Sequence, residues 1–214
     1  MNLDASAEYY LPGQGILSVG LFWKHIDNPI YSQSLAVADG SYAGQTFDEA
    51  NVVQPLNVNK ATVKGIEFNG QVQFTFLPSP LDGLGVSANY TRIGGHAEGL
   101  ADRPGNIPLF LQSKHVGTAQ LFYEKYGIAV RVAYTYRSGY LDTLGGTAST
   151  DQYTDSNGQL DVHASYQLTP NFTVFADGTN LNDAPWRRWI GDPSQLIERE
   201  RYGYQVRGGV QVSF

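Results

Sequence analysis

Hydrophobic and polar residues alternate along the last part of the chain, from Tyr202 to Phe214. Tyr, Val, Gly and Phe occupy the even positions, whereas Gly, Gln, Arg and Ser occupy the odd ones. Because neighbouring side chains of a β-strand point to opposite faces, the pattern predicts a strand whose apolar face carries Val206, Val210 and Val212. A strand of roughly 9–11 residues can cross a bilayer. The segment is therefore predicted to span a membrane, with its aromatic ends near the two interfaces.

Eight earlier segments show similar alternation, at residues 3–11, 15–26, 60–77, 84–94, 109–123, 128–140, 159–168 and 172–181. With the last segment they predict about nine strands, most of them longer than the roughly 5–6 residues usual in soluble sheets. Short turns alternate with long polar connections, which we predict to be loops, at residues 27–59, 95–108, 141–158 and 182–201. This arrangement is typical of an all-β, antiparallel, up-and-down transmembrane β-barrel.

The composition agrees with a barrel better than with a soluble domain or a helical membrane protein. Charged residues make up 16% of the chain, below the roughly 25% of soluble proteins. The mean hydropathy is -0.28, and no apolar run is long enough for a spanning helix. A transmembrane barrel can have this composition because only alternate residues of its strands contact lipid.

Two features predict that the chain is part of a larger barrel. About nine strands is an odd number, whereas bacterial single-chain barrels have even numbers of strands. An unclosed sheet would leave two edges with unpaired backbone groups in lipid, which is energetically costly. In addition, the first ten residues contain neither a basic segment nor an apolar segment of the kind that forms a signal peptide.

Four regions, taken in order, resemble the barrel strands of TonB-dependent receptors. Residues 58–68 are similar to the strand signature of that family, in which a Gly-hydrophobic-Glu step follows a long external loop. Residues 74–78 together with 85–91 look like its next hairpin. Asn180-Leu181-Asn182-Asp183 resembles its penultimate-strand motif, and the terminal strand ending in Phe214 is similar to its barrel assembly signal.

This resemblance implies an outer-membrane active-transport receptor of a bacterial cell. The family has a barrel of about 22 strands that is closed inside by an N-terminal plug. We therefore expect residues 1–214 to form the C-terminal part of such a barrel, with the plug absent from this chain. The expected partners are outer-membrane lipid, the missing plug and strands, the TonB system through the missing N-terminal region, and a small-molecule substrate. The substrate is expected to be a scarce nutrient, either a carbohydrate or a siderophore-type chelate.

Covalent chemistry is not expected. The sequence contains no phosphate-binding Gly loop, nucleophile elbow or zinc-protease motif. Cysteine is absent, and the four histidines lack metal-ligand spacing, so neither a metal site nor a cofactor is predicted. The net charge of -6 provides no basic surface for nucleic acid.

Aromatic and arginine side chains on two predicted external loops are the candidates for substrate contact. They are Tyr153 on one loop and Trp186, Arg187, Arg188 and Trp189 on the other. Such side chains can contact a sugar or an anionic chelate. The alternative is that they pack within the loops or form an interfacial belt. A further set is expected to face the lumen and to contact the plug or water: Arg131, Arg137, Asp161 and Gln167.

Two other classes of protein remain open at this point. The first is a small complete barrel that acts as a porin or an adhesin, which an even strand count and a visible signal peptide would favour. The second is a soluble β-sandwich or lectin, which polar residues on both exterior faces would favour. The aliphatic and Tyr-rich faces of the predicted strands argue against this second class.

Overall fold

The computed structural model describes residues 1–12, 14–100 and 103–214, which form strands and two short 3-10 helices, Leu81–Gly83 and Ala148–Thr150. The strands are β1 (Asn2–Leu11), β2 (Gly15–Asp27), β3 (Ile30–Tyr42), β4 (Gln45–Asn57), β5 (Lys60–Gln73), β6 (Leu84–Leu100), β7 (Arg103–Pro108), β8 (His115–Lys125), β9 (Ile128–Arg137), β10 (Tyr140–Thr143), β11 (Gln152–Thr154), β12 (Asn157–Thr169), β13 (Phe172–Thr179), β14 (Trp186–Ile190), β15 (Leu196–Glu200) and β16 (Gln205–Val212). Within the described ranges, no helix has the length and apolarity needed to cross a membrane.

Nine of the strands form the continuous path of a ten-stranded antiparallel sheet, and we call these nine the wall; the tenth strand, β7, pairs with the end of β6. The order of the wall is β1-β2-β5-β6-β8-β9-β12-β13-β16, so each wall strand pairs with the wall strands before and after it in the chain. All the predicted strands are therefore confirmed, although the one predicted at 60–77 ends at Gln73 and the one predicted at 109–123 begins only at His115. Among the described residues, the outer edges of β1 and β16 have no partner, and the wall does not close into a barrel.

The wall strands are staggered as a barrel requires. One cross-strand row starts at Leu11, the last residue of β1, and continues through Val72, Leu121 and Val132 to Val206, the second residue of β16. The row thus moves from the short-turn end of the first strand towards the opposite end of the last. A closed barrel needs tilted strands and a stagger of this kind, so the register supports the predicted fold class.

The two faces of the wall differ in polarity. The apolar face carries exposed aliphatic and aromatic side chains, among them Leu17, Leu121, Tyr134, Val206 and Val210. The polar face carries ion pairs across neighbouring strands: Asp177 lies 2.6 Å from His163 Nδ1 and 2.8 Å from Arg207 Nε. The four side chains expected to face the lumen share this polar face, as the register places them: Arg131, Arg137, Asp161 and Gln167.

The prediction that the long connections are only loops was wrong. The connection at 27–59 folds into the β3–β4 hairpin, and β6 continues to Leu100, where it pairs with β7. The connections at 141–158 and 182–201 supply β10, β11, β14 and β15, which form a separate four-stranded sheet. These strands were not predicted because their sequences are rich in Ser, Asn and Gln. Strand formation here depends on packing against other loops more than on intrinsic propensity.

The strands outside the wall, together with their turns, form what we call the loop layer. The buried apolar cluster of the described residues lies in this layer and at the adjoining ends of β5 and β6. Its members are Tyr31, Val58, Ala61, Ala97, Leu100, Ile107, Leu141 and Leu144, with Leu56, Leu109, Phe110 and Tyr153 packed against them. The connections of the barrel are thus a packed structure with its own core.

A buried ion pair joins three connections of the loop layer. Arg103 Nη1 and Nη2 donate to the two oxygens of Asp151 at 2.9 and 2.7 Å. Asp151 also accepts from the Gly145 amide at 2.9 Å, and the Gly145 carbonyl accepts from Gln33 at 3.1 Å. The hydrogen bonds that Arg103 donates to Asp151 raise the pKa of Arg103 above its ordinary value. Since Asp151 is 1% exposed, this network fixes how β3, β7 and the turn before β11 sit together.

Candidate functional site

The structure brings together side chains from the two loops predicted to contact substrate. β11 pairs with β14, which sets Tyr153 directly opposite Trp189. Their rings stack with centroids 4.1 Å apart and planes at 13°. Burial, and after it the charge of Asp151, raises the pKa of the Tyr153 hydroxyl above its ordinary value. Tyr153 is therefore a neutral hydrogen-bonding group at neutral pH.

A second aromatic group surrounds Arg137, the last residue of β9. Its guanidinium carbon lies 4.7 Å from the centre of the Trp186 ring and 4.9 Å from that of Tyr140. Arg137 belongs to the polar face of the wall, in the row that includes Thr91 and Glu67. The cation–π contacts therefore connect the polar face of the wall to one face of the loop sheet.

That face of the loop sheet, which carries Tyr140, Thr154, Trp186 and Arg188, is called the vestibule face. Arg188 is directly opposite Thr154 and two residues from Trp186, so the three share this face. Its guanidinium binds Asp142 at 2.9 Å, Glu198 at 3.1 Å and Gln152 at 2.7 Å. The vestibule face is thus a polar surface in which the arginine is held in place by its partners.

Arg187 and Trp189 lie on the opposite face of the loop sheet, with Tyr153. Arg187 is exposed and forms a salt bridge with Asp155, 2.5 Å between Nη2 and Oδ2. The alternation of a strand therefore divides the predicted set in two. Trp186 and Arg188 face the vestibule, whereas Tyr153, Arg187 and Trp189 do not.

Two buried polar atoms of the vestibule face lack a hydrogen-bond partner among the described residues. They are Thr154 Oγ1 and Arg188 Nε. Thr154 is 1% exposed, and Arg188 is its cross-strand neighbour. An unpaired buried polar atom costs about 1–3 kcal/mol. The two atoms belong to directly opposite residues of the vestibule face.

The opposite face borders a cavity of about 330 Å³ where the loop layer meets the ends of the wall strands. Tyr153, Trp189 and Leu109 line it, together with the polar side chains Gln112 and His115. Ligand pockets commonly enclose about 300–1,000 Å³ and combine apolar walls with a few polar groups. The cavity therefore has the size and lining of a pocket for a small ligand or for part of a larger one.

Sequence reasoning missed three members of this site. Arg137 was expected to face the lumen, but its contacts with Trp186 and Tyr140 were not foreseen, and neither was the free hydroxyl of Thr154. The available signal was the position of Arg137 near the end of the strand predicted at 128–140, which a long connection follows. A role in substrate contact for Tyr153 and for residues 186–189 stays a prediction.

Metal binding and the chain end were also considered in the sequence predictions: no metal site was predicted, and Phe214 was predicted to be a barrel assembly signal. Within residues 1–12, 14–100 and 103–214, no group of three or more His, Asp or Glu side chains is placed to hold a metal ion. Phe214 follows the end of β16 and is fully exposed. Its role as a barrel assembly signal stays a prediction.

Comparison with known proteins identifies similar folds. A family model described as "TonB dependent receptor-like, beta-barrel" matches residues 1–181. No match was found among curated proteins.

Three solved structures illustrate the likeness. The siderophore receptor PiuA from Acinetobacter baumannii is 15% identical, with a TM-score of 0.65 over 99% of this chain and 28% of its own. A mutant of the ferric enterobactin receptor PfeA from Pseudomonas aeruginosa is 18% identical, with a TM-score of 0.63 over 100% and 31%. The unliganded ferric citrate transporter FecA is 15% identical, with a TM-score of 0.68 over 98% and 30%. The chain thus spans less than a third of the length of these proteins.

Proposed function

Because the chain belongs to the TonB-dependent receptor-like β-barrel family, we propose that it forms part of an outer-membrane receptor that imports a scarce nutrient with energy coupled through TonB. Receptors of this family are transporters and not enzymes. The proposed role of this part is to supply a section of the barrel wall and a surface that contacts the nutrient.

The chain is proposed to be the C-terminal part of the barrel, with the plug and the TonB-contacting region supplied by the rest of the receptor. The unpaired outer edges of β1 and β16 support this, since a spanning sheet must close. The coverage of 28–31% of the three similar structures agrees with it. A small complete porin or adhesin would instead need β1 to pair with β16.

In the membrane, the apolar face of the wall would contact lipid and the polar face would line the lumen. The short turns would lie on the periplasmic side and the loop layer on the extracellular side. The vestibule face would then stand above the lumen, because Arg137 of the polar face contacts Trp186 and Tyr140. A nutrient entering from outside would meet this face.

The observation that carries the proposal is the composition of the vestibule face. A tryptophan and a tyrosine flank Arg137, and the unpaired Arg188 Nε and Thr154 Oγ1 lie on the same face. Aromatic rings can pack on a sugar or on the rings of a chelate. Both proposed nutrient classes fit, and the siderophore and ferric citrate receptors among the similar folds favour an iron chelate.

The test is ligand binding by the full-length receptor. Trp186→Ala removes a half-buried ring of the vestibule face and should weaken binding of a ferric chelate or an oligosaccharide about tenfold, because tryptophan is enriched among the side chains that contribute most to binding. The matched control is Arg187→Ala, since Arg187 is exposed on the opposite face and should change affinity by no more than about twofold. Titration calorimetry with both ligand classes measures the effect. Equal losses in the two variants would contradict the proposed vestibule face.

A further inference from the structure

A groove of about 680 Å³ crosses the apolar face of the wall near the ends that adjoin the loop layer. Its sides come from two neighbouring rows of outward side chains. One row consists of Leu3, Trp23, Lys64 and Gly94, and the other of Ala5, Leu21, Ile66 and Arg92. Residues of the intervening row, Asp4, Phe22 and Gly65, complete the lining, and their side chains belong to the polar face.

Two cations in this groove have no partner among the side chains that the structure describes. Lys64 and Arg92 are exposed, and neither forms an ion pair or a side-chain hydrogen bond with any described residue. The polar face differs, since Arg131 pairs there with Glu124 and Arg207 with Asp177. Because Ile66 is directly opposite Arg92 and Lys64 directly opposite Gly94, the two cations are diagonal neighbours on β5 and β6. Side chains of their length can reach one common anion from such positions.

Gly94 leaves the space between the two cations open. A Cβ atom added there would meet only the Lys64 carbonyl oxygen, at 4.0 Å. Larger side chains at Gly94 would therefore enter the groove without straining the wall. The groove is a cradle with two cations at one end and apolar walls along its length.

The height of the cations on the wall fits the membrane boundary. Arg92 lies eight residues beyond Leu84, the start of β6 at the short-turn end. At about 3.4 Å per residue and a tilt of about 40°, this is a rise of about 21 Å, near the far edge of an apolar band about 25 Å tall. Arginine or lysine deep in the band would be costly, whereas at its edge the cost is small. At this height the nearest anions are the headgroups of the leaflet on the loop-layer side.

From the unpaired cations, the open cradle and this height, we infer that the groove binds one phosphorylated lipid. Its phosphate lies between Lys64 and Arg92, and an acyl chain follows Leu21, Ile66 and Trp23. Arginine binds phosphate through paired N–H donors and lysine adds a second charge. The inference rests on the membrane placement in the proposed function, but it does not depend on which nutrient is transported.

Native mass spectrometry of the full-length receptor in detergent tests the inference. The probes are phosphatidic acid, diacylglycerol with the same acyl chains, and inorganic phosphate. The parent receptor should retain phosphatidic acid in preference to diacylglycerol, and inorganic phosphate should not displace it. Lys64→Gln and Arg92→Gln should each weaken retention about fivefold, which is the usual effect of one cation near a membrane surface. Gly94→Leu should also weaken it, by filling the cradle.

The matched control is Lys24→Gln. Lys24 is one residue from Trp23 but on the polar face, over the Phe22 ring, so its loss should leave retention unchanged. Equal retention by the parent and by the Lys64 and Arg92 variants would overturn the inference. Equal binding of diacylglycerol would also overturn it, because the groove would then be ordinary lipid-facing surface, and displacement by inorganic phosphate would indicate a free-anion site.

Two further measurements keep the outcome interpretable. Heat-modifiable gel mobility establishes that each variant is folded, and Gly94→Leu, which retains both cations, gives the same comparison if charge removal impairs folding. Nutrient uptake by the same variants separates this inference from the proposed function. A receptor that retains phosphatidic acid through Lys64 and Arg92 but imports no nutrient would contradict the proposed function alone.

Discussion

Position 121 shows how the face of a single side chain decides which substitutions the wall tolerates. Leu121 is on the apolar face of β8, four residues from Lys125 and therefore about 10 Å above the short-turn end, near the middle of the membrane band. Leu121→Arg should destabilise the full-length barrel by about 2–4 kcal/mol, because a charge would face lipid near the bilayer centre. Denaturant titration of the receptor folded in vesicles measures the change.

The neighbouring residue provides the control for this prediction. Gln120 belongs to the polar face, so Gln120→Arg places the same charge in the lumen and should be much milder. If both variants lost equal stability, the assignment of the two faces would be wrong. The same reasoning applies to Val210 and Gln211 in β16, where the sequence alternation first predicted the faces.

At the scale of elements, the ion pair of Arg103 and Asp151 determines how the loop layer is assembled. Asp151→Ala would leave the nearly buried guanidinium with the Gly145 carbonyl, at 3.4 Å, as its acceptor, and would leave the Gly145 amide without one. Breaking a buried pair in this way costs about 3–5 kcal/mol. We expect faster hydrogen exchange throughout the loop layer of the full-length receptor, with exchange in the wall strands unchanged. The control is Glu49→Ala, which removes an exposed carboxylate from β4 and should not change hydrogen exchange in the loop layer. If Asp151→Ala increased exchange only in residues near position 151, the ion pair would not hold the whole loop layer together.

The wall was predictable from sequence because each strand is specified locally. Alternation identifies a strand and its faces without reference to any partner, as β12 and β16 show. The loop layer was not predictable in this way. The pairing of β11 with β14 depends on a core in which Tyr31, Ile107 and Leu144 pack together. These residues are far apart in the chain, so no local sequence pattern predicts their contact.

The residue types of the candidate site were predictable from the sequence, but the positions of these residues in the fold were not. The residue types at 153 and 186–189 indicated aromatic and cationic contacts, but their division between two faces follows from the β11–β14 register. Arg137 entered the site because the wall and the loop sheet meet there, at the end of β9. Tertiary placement, and not residue type, distinguishes Trp186 from Trp189.

At the scale of the whole molecule, the open wall determines how this chain should behave when it is expressed alone. The outer edges of β1 and β16 have no partner strand in the described part of the chain, and in lipid each free backbone group costs several kcal/mol. The isolated chain should therefore aggregate or be degraded and should not restore nutrient uptake. Outer-membrane fractionation with heat-modifiable gel mobility tests this expectation. A stable, heat-modifiable monomer that conducts ions in a planar bilayer would instead favour the porin-like alternative.

The position of the buried core also sets an order of folding. The hairpins of the wall join strands across short turns, such as Tyr126-Gly127 between β8 and β9. The core of the loop layer instead joins Tyr31 to Leu144, across several wall strands of intervening chain. Closing a long loop costs more chain entropy than closing a short one, and distant contacts form slowly. We therefore expect the wall hairpins to form first and to bring the connections together, so that the vestibule face is completed last.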